Sequence, residues 1–135
     1  MHALTQDLAA RLAAAAELHA LELGIPVSIA VVDASGVLAR FVRVQGSPLV
    51  SVEISQNKAF TSAAMQVDTA GIVEAVQPGN PLYTAPVSHS HVLTAIPGGL
   101  VLKSGDTVIG GLGVSGGSVD QDVAIAAAAL ASVSL

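Results

Sequence analysis

Residues 107–129 read TVIGGLGVSGGSVDQDVAIAAAA, and the architecture follows from how that run is parsed. Val108, Ile109, Leu112 and Val114 favour a strand, while the glycines at 110, 111 and 113 leave part of its surface as bare backbone open to close approach. Gly116 and Gly117 free the chain to turn. Ser118 stands three residues before Gln121, the spacing at which an N-cap hydroxyl and an N3 side chain satisfy each other's orphan amides. A helix is therefore expected from Ser118, with Asp120 and Asp122 near the positive end of its dipole. The alanines from Ala124 to Ala129 would let it pack close against the glycine-rich strand.

Upstream, Leu4, Leu8, Leu12, Ala15, Leu18 and Leu21 recur at steps of three and four, which marks one buried face of a helix that stops at Gly24. Val27 to Val32 is nearly continuous and β-branched, the pattern of a strand buried on both faces, and the turn Asp33-Ala34-Ser35-Gly36 returns it as a hairpin through Val37 to Val44. Leu49 to Met65 reads as a second helix, and Ala70 to Val76, capped by Asp68 or Thr69, as a shorter third. The segment SHSHVLTAI is read as extended, Leu100 to Lys103 as a short strand, and Ser104-Gly105-Asp106 as a turn into the glycine-rich strand. Short connections favour an antiparallel sheet of about five strands flanked by helices, an α+β domain.

The 135 residues suit one domain, 1–135. Only 11% of residues are charged against 52% hydrophobic, well under the usual charged share of about 25%, so apolar surface is left for other subunits to cover. A homo-oligomer is expected. The five basic residues, Arg11, Arg40, Arg43, Lys58 and Lys103, are scattered in a chain of net charge −5, which argues against nucleic-acid binding. No apolar run reaches the roughly 18 residues of a membrane span, and the start lacks the basic region of a signal peptide, so the expected location is cytoplasmic. With no Cys, disulfides, thiolate nucleophiles and sulfur metal sites are excluded.

Four stretches, VSIAVVDASGVLARFVR, NKAFTSAA, IPGGLVLKSG and IGGLGVSGGSVDQDVAIAAA, together resemble the GlcG/HbpS family, also called the haem-degrading or DUF336 family, over nearly the whole chain. The resemblance implies a profilin-like or PAS-like α+β domain that assembles as dimers, tetramers or octamers, with haem as a candidate cofactor. The family's common Asp-Gly after the second strand is Gln45-Gly46 here, its Asp-Glu pair after the GVSGG turn is Asp122-Val123, and the segment before PGG carries His89 and His91.

His89 and His91 form the one clustered titratable pair, able to bind a metal or to supply an acid and a base near neutral pH. A metal would want a third ligand, for which Asp120, Asp122 and His19 are candidates. Lys58, in the family-like segment KAFT, is a candidate cation for a carboxylate or haem propionate, since Glu53 at i−5 is no helical neighbour of it. Arg43 could join it or pair with Glu53 or Asp68. The amides of Gly116, Gly117 and Ser118 could receive an anion. The context argues against a dinucleotide fingerprint for GLGVSGG, which needs a βαβ unit with a second strand after the helix.

Two functions compete on these residues. One is a haem or other anionic small-molecule binder, with His19, His89 or His91 as axial ligand. The other is a cofactor-independent enzyme moving protons on a small oxygenated acid or ketone, with the histidines as acid and base and Lys58 with the amides holding the carboxylate or enolate. An oligomeric regulatory module is the third reading.

Overall fold

The computed structural model describes residues 3–135. Helix α1 (Gln6–Leu23) leads into the hairpin β1 (Ser28–Asp33) and β2 (Leu38–Arg43), followed by α2 (Leu49–Met65), 3-10 turns at Thr69–Ile72 and Ala85–Val87, β3 (Gly99–Ser104), β4 (Thr107–Ser115) and α3 (Val119–Ala131). The strands form one antiparallel sheet in the order β2-β1-β4-β3. Helices α1 and α3 pack on each other over one face, with Leu8, Leu12, Ile29, Val31, Leu112, Val114 and Ile125 in the shared core. Helix α2 lies alone on the other face, over Ala30 and Val32. This is the α+β domain expected from the sequence.

The sheet has four strands, where about five were expected. Residues 88–96, read as a strand, are bends and irregular backbone. A fifth strand would have paired with the outer edge of β3, but there the Val101 amide donates to Asp68 Oδ1 at 2.9 Å, so a side chain blunts the edge. The third helix is likewise shortened, to the 3-10 turn at Thr69–Ile72. The Thr69 hydroxyl donates to the Ile96 carbonyl at 2.7 Å and accepts the Gly99 amide at 2.9 Å, which ties the segment to β3.

The glycine-rich strand meets α2, not the alanine helix α3. A Cβ on Gly111 would strike the Ala59 carbonyl oxygen, and one on Gly113 the Ser55 carbonyl oxygen, so β4 and the backbone of α2 touch directly. The opposite face of β4 supplies Leu112 and Val114 to the α1/α3 core. A register shift at Ile109 inserts one extra residue opposite β3 and returns Ile109 to that same core.

The start of α3 forms as expected. Gln121 N donates to Ser118 Oγ and Ser118 N to Gln121 Oε1, closing the capping box. Helix α1 ends at Gly24 with φ +70, the left-handed cap glycine tolerates. Its buried stripe is Leu8, Ala9, Leu12, Ala13, Ala16 and Ala20, so the expected burial of Leu18 and Leu21 is corrected: they are 56% and 60% exposed. Small residues sit inside, which brings α1 close to the sheet, and the leucines of its last turns face out.

Candidate functional site

Lys58 is 1% exposed, and its ammonium donates to the Val114 carbonyl at 2.8 Å and to Asp122 Oδ2 at 3.1 Å. Its expected role as a ligand-facing cation is therefore corrected: the charge is spent inside the protein. Asp122 Oδ1 accepts the Gly117 amide at 2.9 Å, so the carboxylate joins α2, β4 and the entry to α3. Burial pushes the Asp122 carboxyl above its ordinary range, against the pull of Lys58 and the amides of Gly117 and Gly116. Burial likewise pushes the Lys58 ammonium below its ordinary range, against the attraction of Asp122.

The PGG, KAFT and GVSGG motifs close around this pair. Gly98 has φ +124, and a Cβ there would lie 2.7 Å from Lys58 Nζ and 2.8 Å from the Val114 oxygen. A Cβ on Gly99 would lie 2.5 Å from the Lys58 carbonyl oxygen. The PGG sequence thus exists to let the chain pass over the lysine. Thr61 of KAFT accepts the Thr94 amide at 2.8 Å and so fastens the segment that precedes PGG. The anion received by the turn at Gly116 to Ser118 is internal: Gly117 N serves Asp122 and Ser118 N serves Gln121.

Arg43 also departs from the expectation that it joins Lys58 or pairs with Glu53 or Asp68. Its guanidinium donates to Ser47 Oγ at 3.2 Å and to the Ser47 carbonyl at 2.9 Å, bracing the turn between β2 and α2. His19 lies on α1, across the sheet from α2, with Nδ1 3.9 Å from a Glu22 carboxylate oxygen. Lys103 is exposed at the β3–β4 turn.

His89 and His91 come together without an extended backbone. The His91 amide donates to His89 Nδ1 at 3.1 Å, and the His91 ring stacks on Phe60 with centroids 4.3 Å apart and planes at 14°. The His89 ring leans on the same phenylalanine at 5.6 Å. Among the described residues no group of three or more His, Cys, Asp or Glu side chains is placed to hold a metal, so Asp120, Asp122 and His19 do not complete a site with the pair. His91 borders a cleft of ≈ 370 Å³ between the β1–β2 turn and α2, whose walls include Val32, Leu38, Ser35, Gln56, Asn57 and Phe60. A second hollow, of ≈ 210 Å³, lies at the end of α1 between Ala20, Leu21 and Val44.

Sequence reasoning missed Asp122 as the partner of Lys58 and Asn57 as a cleft residue. The signal for the first was present: Ser51, Ser55, Ala59 and Ser62 form a stripe of small residues at helical spacing, and Lys58 falls inside it. A lysine on a buried stripe needs an acid, although the stripe does not say which one. Nothing local in the sequence marks Asn57.

Among the described residues no helix is long and apolar enough to cross a membrane. The family model "Haem degrading protein HbpS-like" matches residues 4–131. The corrinoid adenosyltransferase PduO of Citrobacter freundii is 39% identical over 93% of this chain, which spans only 37% of that enzyme's length. A 15.0 kDa protein of the dhaT-dhaS intergenic region of Citrobacter freundii is 38% identical, over 94% of this chain and 89% of its own. The crystal structure of a PduOC:heme complex matches with a TM-score of 0.93 and 37% identity, covering 97% of this chain and 95% of that one. With the model matched along nearly its whole length, and with these relatives above, the chain belongs to the HbpS-like family.

Proposed function

We propose that this chain is a haem-binding protein of the GlcG/HbpS type, working as a homo-oligomer. The observation that carries the reading is the likeness to PduOC, solved as a haem complex, along almost the entire chain. Haem needs an axial ligand, apolar surface and cations for its propionates. His19 is the candidate for the first, on the last turns of α1, whose Leu18, Leu21 and Leu23 are exposed. Arg40 is on the same side of the sheet as α1, since it pairs in register with Val31 of the α1/α3 core, and it makes no ion pair among the described residues. His91 is the competing ligand, with no hydrogen bond to its ring among the described residues, whereas His89 already accepts the His91 amide.

Haemin titration of the protein and of His19→Ala, His89→Ala and His91→Ala is the test. A saturable Soret band that is lost or shifted in His19→Ala supports the reading. Loss in His91→Ala moves the ligand to the cleft, and no saturable band in the parent protein sinks the proposal.

One observation favours a second reading, a cofactor-independent enzyme: the His91 imidazole edges a cleft, with the His89 ring 6.0 Å from it, and no hydrogen bond among the described residues occupies the His91 ring, leaving it to move protons. Lys58 and the turn amides have no part in it, being committed to Asp122 and Gln121.

A further inference from the structure

The cleft beside His91 is lined by three polar side chains, Ser35, Gln56 and Asn57, that have no part in the roles given above. Asn57 makes no side-chain hydrogen bond among the described residues. The Gln56 amide nitrogen is held by the Val52 carbonyl at 3.0 Å, which leaves its own carbonyl oxygen unclaimed. The amides of Ser35 and Val37 are consumed by Asp33 Oδ1 at 2.9 and 3.0 Å, so the donor the turn offers the cleft is the Ser35 hydroxyl. Together the cleft presents a carboxamide, a hydroxyl and an imidazole, each able both to donate and to accept, beside a carbonyl oxygen. Opposite them stand Val32 and Leu38, register partners on one face of the hairpin.

No Lys, Arg, Asp or Glu lines the cleft. An anion would enter without a counter-charge in a chain of net charge −5, and a desolvated, unpaired carboxylate is costly. Groups that both donate and accept match hydroxyls, which do the same, and the Val32–Leu38 wall suits the carbon side of a short chain. At ≈ 370 Å³ the space falls at the small end of the range for ligand clefts, the size of a small metabolite.

We infer that this cleft is a binding site for a short, uncharged polyol or hydroxy-ketone, held by Asn57, Ser35, Gln56 and His91. The site is separate from the one proposed for haem. It rests on the enzymatic reading and narrows its small oxygenated acid or ketone to a neutral carbonyl or hydroxyl compound.

The test is a ¹⁵N–¹H correlation titration of the haem-free protein with erythrulose, erythritol and the carboxylate erythronate. Erythrulose or erythritol should give saturable shifts confined to Ser35–Leu38, the region of Asn57 and His91, and the Asn57 side-chain amide. Asn57→Ala and His91→Ala should each weaken binding by about threefold to tenfold, the effect of one neutral hydrogen bond. Erythronate should bind about tenfold or more weakly. Saturation by neither neutral probe, shifts centred on α1, equal binding of erythronate, or indifference to both substitutions overturns the inference. Because haem is absent from every arm, failure here leaves the Soret test untouched, and failure of the Soret test leaves this site standing.

Discussion

Lys58 Nζ and Asp122 Oδ2 lie 3.1 Å apart with both side chains out of solvent, and the lysine reaches the acid past a glycine whose missing Cβ makes the passage. The contact spans 64 residues of sequence and joins the lone helix of one sheet face to the first turn of a helix on the other. Removing one partner strands the other as a buried charge. Lys58→Ala should therefore cost about 3–5 kcal/mol of unfolding free energy in urea, while Lys58→Met combined with Asp122→Leu should recover most of that loss. A single substitution costing no more than a surface change would show the pair to be solvated.

The same pair sets a pH dependence whose sign follows from the burial. The Asp122 carboxyl is raised above its ordinary 3.8, so the folded protein holds a proton that the unfolded chain has released. Its contribution is present in full below 3.8 and is lost as pH rises through the folded-state value. The melting temperature of the parent protein, measured relative to Asp122→Asn, should fall as pH is raised from below 3.8. A relative melting temperature that climbs over that range would mean that Lys58 and the amides outweigh burial.

Gly113→Ala tests the direct contact of β4 with α2. Its Cβ would strike the Ser55 carbonyl oxygen and lie 2.7 Å from the Ala59 amide, backbone atoms that cannot rotate away, so the expected cost is about 1–3 kcal/mol or more. Gly71→Ala, with no atom within 4 Å of its Cβ and no positive φ, should stay within about 0.5 kcal/mol of the parent. Equal melting temperatures for the two variants would remove the close-contact account of the glycine run.

Local signals in the sequence reported local structure well. The Ser118–Gln121 box, the Gly24 stop and the double burial of β1 each depend on a few adjacent residues, and each stands as read. What failed was long-range assignment. Glycines 111 and 113 announced a close neighbour without saying which helix, and Lys58 announced a charge without saying that Asp122 would consume it. SHSHVLTAI alternates like a strand, yet pairing needs a free edge, and Asp68 had closed it. The His89–His91 pair was legible as chemistry, but its partner Phe60 is set by the approach of a loop to α2, which no spacing encodes.

Assembly is the last prediction, and it follows from where the exposed apolar side chains fall. Leu18 and Leu21 stand on α1, on one side of the sheet. Leu49 and Val50, 77% and 64% exposed, open α2 on the other. A two-fold dimer has a single isologous patch, and apolar side chains on opposite layers of the domain favour more than one such contact. We therefore predict two kinds of interface and, with them, a tetramer or a larger closed assembly. Light scattering should report a native mass well above twice 13.4 kDa. Leu21→Glu and Leu49→Glu should each reduce it to a smaller species by different routes, because a charge placed in either apolar contact is unpaired when buried. A 13.4 kDa monomer at micromolar concentration, or a mass that neither substitution changes, would show that these surfaces face water in the working protein.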